Sequence, residues 1–141
     1  MNNIDLFMKE MIIDLNNQND SDSYMGKRML CNILDIQKKD VLIDLNKIAD
    51  IMDIICKYNM YNSKQSLYNQ RNEEDNGCSM IYLLEDIGQI SIHTFPEKKS
   101  ITFDIFTNYS NESSLILIYE FLIEALEAGN YTSNYTIVNC E

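Results

Sequence analysis

A chain of 141 residues is the size of one domain and can bury a single substantial core. Its 45% hydrophobic and 23% charged content argues against disorder of the whole chain, and 22 acidic against 11 basic residues give a net charge of −11 that repels nucleic acid and anionic membranes. The four cysteines, Cys31, Cys56, Cys78 and Cys140, form no CxxC pair and there is one histidine, so neither a zinc site nor any other metal site is expected.

Residues 1–24 read as an appended segment. Ile4 to Leu15 is amphipathic, with Leu6, Met8, Met11, Ile12 and Leu15 on its apolar side, and the polar run Asn16 to Ser23 has the composition of a linker. Charged residues interrupt every apolar run well short of a membrane span or a signal peptide, so a cytoplasmic location with free thiols is expected. Residues 25–141 then form the domain proper.

A first strand is expected within Lys27 to Asp35. Leu42, Leu45, Ile48, Ala49, Met52, Ile55 and Cys56 recur at spacings of three and four, which predicts a helix with Asp40 as its N-cap. Tyr61 to Gly77 is polar and reads as a long connection with an edge strand near Gln65 to Tyr68, ended by the turn signal Asn76-Gly77. Ser79 to Leu84, Gln89 to Phe95 and Ser100 to Thr107 are β-rich runs with short breaks, and predict three neighbouring antiparallel strands. A second helix spans Glu112 to about Ala128, with Gly129 at the position of a C-terminal cap, and Tyr135 to Val138 forms a last strand. The order implies an α+β two-layer sandwich, a mostly antiparallel sheet with two helices on one face.

Alternation along a strand separates Ile90, Ile92 and Thr94 from Ser91, His93 and Phe95. The first set suits a core. The second groups a hydroxyl, the lone imidazole and an aromatic ring on the other face, which suits a ligand surface or a dimer interface. A Ser-His-Asp hydrolase is a poor fit, because no serine sits in a nucleophile elbow and nothing along the chain ties Asp104 to His93.

The string Ile90-Ser91-Ile92-His93-Thr94-Phe95-Pro96-Glu97, followed by Thr102-Phe103-Asp104-Ile105-Phe106-Thr107, resembles the signature of the prokaryotic small-chain S-adenosylmethionine decarboxylases. That pattern runs E-S-H-[IL]-[ST]-I-H-T-[WF]-P-E and then a strand ending D-[VLI]-[FY]-T-C. Weaker similarity extends from Gly26 to the final strand. The resemblance implies a dimer with stacked sheets, an α-β-β-α sandwich, and a place in polyamine (spermidine) metabolism. Members of the family cut their own backbone before a serine, which becomes the pyruvoyl group that serves as electron sink for decarboxylation.

In this register the Glu-Ser-His positions fall on Ile87, Gly88 and Gln89. Glycine has no hydroxyl, and Glu85, Asp86 and Ile87 offer no replacement, so the pyruvoyl cofactor is expected to be absent. The family's proton-donating cysteine aligns with Asn108, whose amide is no general acid. The resemblance carries His93 over as the processing histidine, Phe95 as the aromatic near the adenine and Glu97 as the ribose carboxylate; strand alternation, which sets it on the face of His93 and Phe95, adds Ser91 as a further ligand residue. Phe95 would add a stacking or cation–π contribution of about 0.5–2 kcal/mol toward a sulfonium. A second adenine-stacking aromatic would come from Tyr61 or Tyr68.

The expected protein is therefore a catalytically silent relative that binds an S-adenosylmethionine-like ligand or regulates a partner, as a homodimer or as a heterodimer with an active paralogue. Two alternatives stand beside it: an enzyme acting on S-adenosylmethionine or a related amino acid by a changed mechanism, and an interaction protein that keeps only the fold.

Overall fold

The computed structural model describes Asp5 and residues 25–71, 76–108 and 110–140. The segment expected at residues 1–24 lies, apart from Asp5, outside the described residues. Six strands, β1 (Gly26–Ile33), β2 (Ser63–Gln70), β3 (Cys78–Leu84), β4 (Gly88–Phe95), β5 (Ser100–Thr107) and β6 (Asn134–Cys140), form one antiparallel sheet in the order β2-β3-β4-β5-β1-β6. Helices α1 (Leu45–Tyr58) and α2 (Glu112–Leu126) supply the second layer. The expected α+β architecture is thus the observed one.

The topology follows from where short turns are available. β2 to β5 are consecutive hairpins, so they lie side by side in chain order. After β1 the chain crosses the sheet through α1 to the far edge, and after β5 it returns through α2 to the opposite edge, where β6 pairs with β1.

Side-chain alternation drives one face of every central strand under the helices. Met29, Cys31 and Ile33 of β1, Ile90 and Ile92 of β4, and Ile101, Phe103 and Ile105 of β5 are all at most 2% exposed. Ile48, Met52 and Ile55 of α1 and Leu115, Ile118, Phe121 and Leu122 of α2 meet them from above. Each such side chain stabilises the fold by about 1.5–3 kcal/mol relative to exposure. Thr94 is also fully buried on this face, and its hydroxyl is satisfied twice: it donates to the Leu42 carbonyl at 2.6 Å and accepts from the Cys78 N–H at 2.7 Å. That single oxygen ties the turn before α1 to the start of β3 and the end of β4.

Two helix ends differ from expectation. Asp40 lies in a 3-10 turn, Lys39–Ile43, and its carboxylate is engaged by Lys47; the N-cap of α1 is Asp44, which accepts from the N–H groups of Asn46 (2.9 Å) and Lys47 (3.3 Å). The apolar spacing ran through Leu42 because Leu42 is buried, yet the Thr94 hydroxyl holds its carbonyl away from a helical ladder. At the other end Glu127, at φ 49°, is the left-handed cap of α2, and the Ala128 N–H returns to the Ile123 carbonyl. Gly129 instead donates its N–H to the Leu34 carbonyl at 2.8 Å. The suspected edge strand is longer than expected, eight residues of β2, and β6 likewise extends to Asn134–Cys140.

Candidate functional site

The sheet face away from the helices is built from Gln65, Leu67 and Asn69 of β2, Ser79, Ile81 and Leu83 of β3, and Gln89, Ser91, His93 and Phe95 of β4. Beyond them lie Thr102, Asp104 and Phe106 of β5, then Arg28, Leu30 and Asn32 of β1. Ser91, His93 and Phe95 therefore share a face, as alternation predicts.

His93 stands across from Ser79, and its Nδ1 is 2.8 Å from the Ser79 Oγ. Phe95 is half-buried at the end of β4. Ser91 is only 8% exposed, between Ile81 and Asp104, and is the least accessible of the proposed ligand residues. Glu97 is exposed in the turn Pro96–Lys98, which Lys99 closes at φ 48°. Asp104 accepts a two-point contact from Arg28, Nε at 3.1 Å and a terminal nitrogen at 2.6 Å, which raises the guanidinium pKa further. That engagement leaves no Ser-His-Asp triad.

The position that the resemblance aligns with the family's serine is a second locus. Gly88 opens β4 directly opposite Thr107, and the Asn108 N–H donates to the Ile87 carbonyl at 3.2 Å. The two positions that sequence marks as chemically altered, Gly88 and Asn108, are thus neighbours across one strand pair. A Cβ at Gly88 would lie 2.6 Å from the Phe106 carbonyl oxygen and 3.3 Å from a Leu84 methyl. Strand β4 reaches β5 here with no room for a side chain. Gly88 itself carries no hydroxyl, and a side chain added there would require β5 to shift.

Neither tyrosine proposed as an adenine partner stands beside Phe95. Tyr61 is buried with its hydroxyl against Ser110, and Tyr68 pairs with Met80 on the helix side of the sheet. There, Tyr68, Tyr82, Met80, Leu45 and Ala49 line a groove of about 300 Å³ between α1 and the β2–β3 edge. Tyr82 donates its hydroxyl to Asp53 at 2.7 Å, and burial, with that carboxylate, pushes its pKa up.

The residue that does stand beside Phe95 is Arg71, which sequence reasoning passed over. Its guanidinium carbon is 5.6 Å from the ring centroid, one terminal nitrogen donates to Ser79 Oγ at 3.3 Å, and the other donates to the Thr94 carbonyl. The one available signal was its position at the foot of a hairpin whose last pair is Gln70 with Cys78, which swings Arg71 toward Ser79 and the end of β4.

Comparison with known proteins agrees with this architecture. No curated protein sequence matches the chain. The crystal structure of the adenosylmethionine decarboxylase from Aquifex aeolicus superposes with a TM-score of 0.70 at 20% identity, covering 84% of this chain and 92% of that one, which is a likeness of fold. The family model described as S-adenosylmethionine decarboxylase matches residues 27–137, the whole sheet and both helices up to the middle of β6. The chain belongs to the S-adenosylmethionine decarboxylase family.

Proposed function

We propose that this chain is a member of the family that does not process itself and does not decarboxylate, and that it serves polyamine metabolism as a ligand-binding or partner-regulating protein. The observation that carries the reading is the closure at Gly88, where a Cβ would stand 2.6 Å from the Phe106 carbonyl. Backbone scission in this family needs a side-chain alcohol next to the cleaved carbonyl, and Ile87, Gly88 and Gln89 supply none. Asn108 beside them supplies no thiol. What remains at the other end of the strand, His93 with Ser79 and Phe95 with Glu97 following, is binding machinery in search of an adenosyl ligand.

The open sheet face supports assembly as part of this function. Leu30, Leu67, Ile81, Leu83 and Val138 are exposed on it by 39–71%. Its only charged register-paired positions are Arg28 and Asp104, which neutralise each other. In a chain carrying −11, this is where a second copy can approach without charge repulsion, and burying the paired faces would enclose His93 and Phe95.

Mass spectrometry of the purified, undenatured chain tests the central claim. A single uncut species and no CO₂ release from carboxyl-labelled S-adenosylmethionine are expected. Two fragments meeting at Ile87 and Gly88, or label release blocked by a carbonyl-trapping reagent, would overturn it.

A further inference from the structure

The β2 edge of the sheet is open. Among the described residues β2 pairs with β3 alone, so alternate residues of its eight direct their N–H and C=O outward. Edge strands are ordinarily shortened, charged or interrupted by proline; this one carries no proline and a single charge, Lys64, whose nitrogen lies 3.8 Å from a Glu85 oxygen. Leu67 and Tyr68, on its two faces, are 71% and 69% exposed. Beside the strand runs the groove of about 300 Å³ in which Leu45 and Ala49 of α1 face Tyr68 and Met80. The groove ends at Tyr82, which donates to Asp53 at 2.7 Å and whose pKa is raised first by burial, then by Asp53 and by Asp50 one turn earlier on α1.

We infer that β2 and this groove form a docking site for an extended peptide of a partner protein, which adds a strand to the sheet and carries an apolar residue two positions from an Arg or Lys. The outward row of backbone groups is complementary to a strand, and supplies affinity whatever the sequence of the partner. Selectivity comes from the groove. Because side chains alternate, every second residue of an added strand lies on the helix side, beside Tyr68 and then beside Ser66, at positions about 7 Å apart. The Tyr68 position adjoins the apolar part of the groove. The Ser66 position lies across from Tyr82, toward Asp50 and Asp53. A basic side chain is drawn there, whereas a second copy of this chain, which carries −11 itself, is repelled. Tyr68 and Phe95 lie on opposite faces of the sheet, so this surface stands apart from the ligand-binding reading above.

The probe is a dye-labelled, capped heptapeptide, Ser-Arg-Thr-Phe-Thr-Ile-Ser, titrated with the full-length chain by fluorescence anisotropy. A Kd on the order of 10 μM is expected. Alanine in place of the phenylalanine should weaken binding at least roughly tenfold. Glutamine in place of the arginine should also cost roughly tenfold, as two carboxylates about 8 Å away at an effective dielectric of about 60 imply, and Asp50→Asn should reduce that ratio to about threefold. Only alternate amides of an added strand meet β2. Methylating the backbone nitrogens of the second, fourth and sixth residues, or instead of the third and fifth, should therefore abolish binding in one case and leave it within about threefold in the other. No binding of the parent peptide up to about 1 mM, equal behaviour of the two methylated peptides, or a glutamine peptide as tight as the arginine one overturns the inference. So does a peptide that binds only by dissociating an oligomer in light scattering, which would give the edge to a second copy.

Discussion

Replacing Gly88 with serine restores the one atom that backbone scission in this family requires, and so separates lost chemistry from lost space. The new Cβ would sit 2.6 Å from the Phe106 carbonyl oxygen and 3.3 Å from both a Leu84 methyl and the Thr107 Cα. Two of those three neighbours are backbone atoms of β5, a strand paired along its length with β4 and β1, so relief requires parting strands rather than turning a side chain. Overpacking of this kind costs about 1–3 kcal/mol. For a domain of this size that is a fall in Tm of about 4–12 °C. Gly88→Ala introduces the same Cβ without the hydroxyl and should lose about as much stability. Both variants should run as one intact chain by mass spectrometry, because the strained strand end does not hold the alcohol against the Ile87 carbonyl. Recovery of two fragments from Gly88→Ser would show that the hydroxyl alone was missing, and a Gly88→Ala variant as stable as wild type would refute the steric argument.

Thr94→Val keeps shape but strands a buried N–H at Cys78 and the Leu42 carbonyl; a loss of about 2–4 kcal/mol is expected in urea titration. The reactivity of the thiols should follow burial: desolvation, aided by Asp104 for Cys31 and Asp53 for Cys56, pushes both pKa values up to about 12, so at pH 8.5 Ellman's reagent should consume the half-buried Cys140 well before either. Those two thiols stay protonated in the folded state while the unfolded chain ionises from about pH 9, so the unfolded state binds fewer protons and stability should fall between about pH 9 and 12. Substituting serine at both cysteines should flatten that part of the profile. Ile81→Asp tests the proposed pairing of open faces: light scattering should show a dimeric wild type and a monomeric variant with the fold retained, since Ile81 is 39% exposed and contributes little to the core, and a monomeric wild type would refute the pairing.

The core was legible because it obeys local periodicities. Period two in Ile90, Ile92 and Thr94 and in Ile101, Phe103 and Ile105 declared which face of the sheet the helices cover, and spacings of three and four placed α1 and α2. Caps were less legible. Asp40 and Asp44 are chemically identical N-cap candidates, and the choice between them was made by Thr94, fifty residues away in sequence, binding the Leu42 carbonyl. Likewise Gly129 is the better left-handed residue, yet Glu127 takes that conformation because the chain must turn where α2 ends against β1.

The candidate site divides along the same line. Residues along one strand, Ser91, His93 and Phe95, could be grouped from sequence, since their relative orientation is a property of extended backbone. That Gly88 carries no hydroxyl and Asn108 no thiol was likewise written in residue identity. Only the tertiary structure decided that Gly88 and Asn108 adjoin, that no space remains between β4 and β5 there, and that Arg71 rather than Tyr61 or Tyr68 meets Phe95. Those facts depend on cross-strand register and on which way a hairpin end turns, and contacts between residues distant in sequence are set by the packing of the whole sheet.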